Sequence, residues 1–127
     1  MSADLQWSII RKSSCFIRKS LGTTLSAEPN NISCKNSFSA SGIVNKHVVG
    51  IKAADKGVVL TTKSKGKLVN VTLARGGRRT IKSIRAATAG SHYRPDMTEA
   101  AIKKASALLR SQKNKTAAKR RSRKYKN

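Results

Sequence analysis

The 127-residue chain is predicted to be an α+β domain over residues 1–109, a small antiparallel β-sheet packed by short helices, followed by a basic extension over 110–127. Three observations predict this. Two β-branched, apolar segments at 46–52 and 57–62 flank the turn chemistry of Ala54-Asp55-Lys56-Gly57. An apolar stripe at helical spacing runs through Ala101, Ile102, Ala105, Leu108 and Leu109, with Lys103 and Arg110 opposite. Beyond residue 109 the patterning stops, and nine of the last eighteen residues are Lys or Arg with no acid among them.

Residues 2–10 read as a short helix. Ser2 serves as its cap, Asp4 in the first turn suits the helix dipole, and Leu5 and Ile9 share one face while Trp7 and Ile10 share another. Residues 15–19 alternate as a strand, Gly22 breaks the run, and residues 23–26 return as its hairpin partner. Glu28-Pro29-Asn30-Asn31 is turn chemistry, and a serine-rich stretch to Gly42 follows, holding one aromatic, Phe38. Trp7 and Phe16, lying in patterned segments, are expected in the core. After the central hairpin, residues 63–67 are expected to form a basic loop around Gly66, and 68–73 a third strand with Val69, Val71 and Leu73 on one side. Gly76-Gly77 stops it. Residues 80–89 space Ile81, Ile84 and Thr88 as a helix ending near Gly90, and Pro95 with Asp96 and Glu99 marks the start of the last helix.

Charge narrows the function. Against 28 Lys plus Arg stand five Asp plus Glu, a formal charge of +23. A compact body so charged repels itself, and binding a polyanion relieves the repulsion. Five scattered carboxylates argue against paired-carboxylate catalysis, and no catalytic or nucleotide-binding signature is present. No apolar run reaches the length of about 18 residues that a membrane span needs. Cys15 and Cys34 form no CxxC pair, and His47 and His92 stand far apart, so neither a metal nor any other cofactor is expected, and the thiols suit a reducing compartment. The opening residues lack a secretory signal; Arg11, Lys12, Arg18 and Lys19 among serines resemble a mitochondrial presequence but continue as patterned structure.

The cations themselves are the candidate site. Arg11, Lys12, Arg18, Lys19, Lys63, Lys65, Lys67, Arg78, Arg79, Lys82, Arg85, Lys103 and Lys104, with Arg110, Lys119, Arg120, Arg121, Arg123 and Lys124 of the tail, lack nearby acidic partners, and Arg94 joins them as an expected contact. Ordinary surfaces intersperse the two signs; here phosphates are the natural counterions. Gly76-Gly77-Arg78-Arg79 ahead of a helix can also cradle a phosphate through backbone amides and guanidinium forks. Phe38 and Tyr125, in polar and basic surroundings, are the stacking candidates. With five aromatics in all, backbone and shape recognition of folded RNA is favoured over reading of single-stranded bases. The tail is too charged and too poor in apolar groups to fold alone, and is expected to be disordered until it orders on RNA. Residues 119–126 also fit a nuclear-import signal.

Several short motifs stand in a characteristic order: Leu5-Gln6-Trp7, Cys15-Phe16-Ile17, Pro29-Asn30-Asn31, Lys35-Asn36-Ser37-Phe38, Ser41-Gly42, Ala53-Ala54-Asp55-Lys56-Gly57-Val58-Val59, and Tyr93-Arg94-Pro95-Asp96 before Ala100-Ala101-Ile102. In these the chain resembles the eukaryote-specific large-subunit ribosomal protein family numbered twenty-eight, from about residue 4 to 112. Residues 63–89 are shorter than the family's segment, and the tail matches in composition alone. The resemblance implies a non-catalytic constituent of the large (60S) subunit of the cytosolic ribosome. Its implied partners are large-subunit ribosomal RNA, including eukaryotic expansion segments, and neighbouring ribosomal proteins, with no membrane and no small-molecule substrate. It implies nuclear and nucleolar transit during assembly. Asn36, Ser37, Phe38, Tyr93 and Arg94 carry over directly as polar and aromatic types consistent with RNA contact; for Asn36 and Tyr93 structural roles in turns stay equally open. The rival readings are a DNA-binding architectural protein, a small enzyme acting on RNA through His47 or His92, and a membrane-surface polycation. No recognition-helix signature accompanies the strand-rich core, which speaks against the first.

Overall fold

A computed structural model describes Ser2–Gln112. It has three α-helices and two antiparallel sheets, an α+β fold as expected. Helix α1 (Ala3–Ile10) is capped by Ser2, whose hydroxyl accepts from the Leu5 amide. Strands β1 (Ile17–Ser20) and β2 (Thr23–Ser26) pair across a two-residue turn at Leu21 and Gly22, both at positive φ. Strands β3 (Val49–Ala53), β4 (Val58–Ser64) and β5 (Lys67–Leu73) form the main sheet in that order. Helix α2 (Gly77–Arg85) continues into a π-helical turn (Ala86–Gly90), and a 3-10 turn (Pro95–Met97) leads into α3 (Thr98–Gln112).

One face of the sheet presents Val49 and Ile51 of β3 and Val58 and Leu60 of β4, aligned by the pairs Ile51↔Leu60 and Leu60↔Val71. Onto it pack Ile84 of α2 and Ala101 and Ala105 of α3, each fully buried, with Ile32 closing the cluster. Alanines at the contact let a helix approach closely, because nothing larger than a methyl separates it from the strands. The other face meets the Pro29–Asn30 turn at Gly50, where a Cβ would lie 2.5 Å from the Asn30 side-chain oxygen; only glycine admits so close a neighbour. Glu28, buried beside that turn, accepts from the Ser41 hydroxyl at 2.8 Å and the Gly42 amide at 3.1 Å, and so fastens the serine-rich loop.

The structure departs from the sequence reading in four places. Trp7 and Phe16 are half-buried and lie outside the core; α1 buries no residue, and the Trp7 ring instead meets Phe38 edge-on, centroids 6.1 Å apart. Residues 63–67 are not a loop: pairing continues to Ser64↔Lys67, and the turn is Lys65-Gly66, both at positive φ as a primed two-residue turn requires. Helix α2 starts at Gly77 rather than residue 80. The folded unit does not end at residue 109, since α3 continues to Gln112, whose side-chain amide donates to the carbonyls of Ala54 and Gly57 and accepts from the Gly57 amide. The expected tail contacts Lys119, Arg120, Arg121, Arg123 and Lys124 lie outside the described residues.

Where β3 and β4 diverge, a side chain takes over the ladder. The Tyr93 hydroxyl accepts from the Val48 and Lys63 amides (3.1 and 2.9 Å) and donates to the Lys63 carbonyl (2.6 Å). Val48 and Lys63 are the rung next after Val49↔Thr62. Replacing Tyr93 with Phe strands these amides, so chemical denaturation of Tyr93→Phe should show a loss of about 1–3 kcal/mol with the fold retained.

Candidate nucleic-acid interface

The five acids are mostly committed to the fold. Asp4 and Glu99 sit in the first turns of α1 and α3, where they offset the helix dipole. Glu28 is buried among neutral donors. Asp96 pairs with Arg94 at 2.7 Å, the one ion pair among the described residues. Asp55 lies in the β3–β4 turn.

The uncompensated cations fall into clusters. Around a cavity of about 300 Å³ stand Arg11, Lys12 and Lys19, with Asn36 and Thr24 in the wall. The Asn36 amide donates to the Arg11 carbonyl at 2.9 Å, and its neighbour Lys35 bridges to Leu25 of β2, so the end of α1 and the hairpin are held to the same segment. Asn36, expected as an RNA contact, therefore has a structural use for its amide. Arg18 alternates with Lys19 on β1 and is exposed.

A second cluster surrounds the start of α2. A cavity of about 660 Å³ is lined by Asp55, Lys56, Arg75, Gly76, Gly77 and Arg110, with Ile81, Leu109 and Gln112 as its floor. Gly76, Gly77, Arg78 and Arg79 line an adjoining hollow of about 410 Å³. No side chain caps this helix and no acid occupies its first turn. Arginines at the positive end of a helix dipole are locally unfavourable, and a bound anion reverses the sign of that interaction. Lys82 and Arg85 continue the basic surface along α2, and Lys103 lies exposed on α3. Sequence reasoning missed Lys56 and Arg75, which stand singly in the chain; the nearness of Arg75 to Gly76-Gly77 was the available signal. A third group, Lys63, Lys65 and Lys67, gathers at the β4–β5 hairpin tip.

Arg94, another of the expected contacts, is engaged within the fold. Its guanidinium donates to both Asp96 carboxylate oxygens (2.9 and 2.7 Å), the His47 carbonyl (2.9 Å) and the Ser39 carbonyl (2.7 Å), with 14% of the side chain exposed. Those bonds use four of its five N–H donors in tying the serine-rich loop to the start of α3. Phe38 leans on Trp7 and keeps about a third of its surface open. His47 packs edge-on to Tyr93, centroids 5.0 Å apart. Cys15 and Cys34 are free and exposed. Among the described residues no cluster of three His, Cys, Asp or Glu is placed to hold a metal ion, and no helix is long and apolar enough to cross a membrane.

The model of the ribosomal L28e protein family matches residues 5–111. The large ribosomal subunit protein eL28 of Schizosaccharomyces pombe is 34% identical over 128 residues, covering 91% of this chain and 96% of that protein. Its counterpart in Caenorhabditis elegans is 34% identical over 119 residues, covering 91% and 94%. That of Dictyostelium discoideum is 33% identical over 110 residues, covering 80% and 82%.

The Arg94 pair carries a pH signature. The guanidinium hydrogen bond holds the Asp96 carboxyl below the usual carboxylate range, against a smaller opposing effect of burial. A lowered native pKa contributes stability that is complete above the ordinary value of about 4 and lost as pH falls through the lowered one. The stability gap between the natural chain and Asp96→Asn, followed by urea unfolding, should therefore be flat above about pH 5 and close on acidification.

Proposed function

Since the chain belongs to the ribosomal L28e protein family, and is thus a structural ribosomal protein rather than an enzyme, we propose that it holds folded ribosomal RNA in the large subunit of the cytosolic ribosome by neutralising phosphates. The observation that carries this reading is the charge economy of the fold. Its single ion pair is internal, while Arg11, Lys12 and Lys19, then Arg75, Arg78, Arg79 and Arg110, and then the hairpin-tip lysines gather without carboxylate partners of their own, Asp55 beside the second group excepted.

Mechanistically, each cluster replaces condensed cations on the RNA backbone, so that neighbouring RNA helices approach without mutual repulsion. The α2 cluster adds backbone amides at Gly76 and Gly77 to guanidinium forks, which suits a phosphate better than a point charge does. Residues 113–127 extend the same chemistry with eight further cations. Expansion segments of eukaryotic ribosomal RNA are the proposed RNA partners, and the 119–126 run serves nuclear entry before assembly in the nucleolus.

Salt titration of binding to large-subunit RNA tests the reading. Arg78→Ala and Arg79→Ala should each flatten the log–log salt slope by about 0.7–0.9, and truncation after Gln112 should flatten it further while leaving the domain folded. Arg94→Ala should lower stability and leave the slope unchanged. Slopes unaltered by the first three variants would refute phosphate neutralisation.

A further inference from the structure

Strand β5 ends the main sheet, so one side of its backbone ladder has no strand beside it among the described residues. It is also the least covered apolar strand. Leu68, Val69 and Val71 are 54%, 44% and 47% exposed, and β5 buries none of its residues. Val69 and Val71 pair with Thr62 and Leu60, and so lie on the same face as the core residues of β4. In a chain 26% charged, residues 68–74 carry no charge at all. Open edges are ordinarily guarded by a central lysine, a proline or a bulge, and this strand has none of these between Lys67 and Arg75.

We propose that the outer edge of β5 receives an extended segment of another protein, apolar at its centre and acidic at its ends, as a fourth strand of the sheet. Unpaired amides and carbonyls repeating about every two residues along a strand are complemented by another strand, whose alternate side chains then cover Val69 and Val71. RNA is the poorer occupant, because between Lys67 and Arg75 the strand itself offers a phosphate no cation. A second copy is poorer too. Antiparallel pairing of two β5 strands about Asn70 sets Lys65 of each copy opposite Arg75 of the other, and brings two +23 bodies together. The chain's own residues 113–127 carry eight cations and would meet Lys63, Lys65 and Lys67 with like charge. What fits is a neutral, β-forming centre with carboxylates at both ends, one set for the hairpin-tip lysines and one for Arg75. The uncharged centre of this strand lies apart from the basic clusters, its two ends share the hairpin-tip lysines and Arg75 with them, and the apolar contact does not depend on the RNA reading.

The probe is a synthetic peptide of alternating valine and threonine with two aspartates at each end, added to the full chain. Binding should slow hydrogen exchange at the β5 amides. A proline at the peptide's centre, which keeps its charge, should weaken binding by about tenfold or more, and Val71→Lys should do the same although it adds positive charge. Leu68→Lys, on the opposite face, supplies a second variant should the first disturb the core, and unchanged exchange at β3 and β4 reports that the fold is intact. Equal or tighter binding by both lysine variants, or protection away from β5, would mean simple charge attraction and overturn the proposal. So would protection of β5 by an oligouridylate, or sedimentation of the chain alone as a dimer that Val71→Lys disperses. Loss of RNA affinity in the salt titration leaves each of these outcomes readable.

Discussion

Two adjacent residues hold the parts of this molecule in register. Tyr93 places its hydroxyl in the gap where β3 and β4 part, and Arg94 spreads its guanidinium over Ser39, His47 and Asp96. The first joins the segment between α2 and α3 to the sheet; the second joins the start of α3 to a loop more than forty residues earlier. Neither contact is apolar. In a chain with a modest core, part-buried polar groups that make several hydrogen bonds each supply long-range order that a larger hydrophobic interior would otherwise give. The same economy recurs at Glu28, which spends a carboxylate on a hydroxyl and an amide instead of on a cation.

This economy explains how strong positive charge and a defined fold coexist. Carboxylates are withdrawn into helix starts, a buried turn and one internal pair, so nearly every cation is left facing outward without an intramolecular claim on it. Such a surface is electrostatically strained in isolation, and the strain falls when phosphates arrive. The uncharged edge of β5 stands out against this background because it breaks the pattern.

Much of this was legible in the chain. The hairpin of β3 and β4 follows from β-branched runs and the Gly57 turn, and α3 from its apolar stripe and acidic start. Trp7 was misread because helical spacing identifies an apolar face without saying what covers it; α1 finds only Phe38 and half-buried neighbours. The Lys65-Gly66 turn was hidden by its lysines, which suggest a solvated loop although the strand alternation runs up to both sides of it. Arg94 shows the limit of counting charges, since one cation turned inward looks in sequence like any other. The Tyr93 contact has no local signature, because both of its strand partners lie at least thirty residues away. For the basic clusters, composition revealed that unpaired cations exist, and only the fold tells which of them converge.

The β1–β2 hairpin and α1 form an annex. They attach to the rest through the lone bridge Leu25↔Lys35, backbone bonds of Ser26, the Asn36 amide and the edge contact of Trp7 with Phe38, while α1 buries no side chain. Units with so little apolar burial open locally at small free-energy cost, independently of global unfolding. The cavity of Arg11, Lys12 and Lys19 rides on this annex, whereas the cavity beside α2 is walled by elements of the main core. Of these two cavities, the one on the annex would lose part of any binding affinity to the entropy of stiffening it.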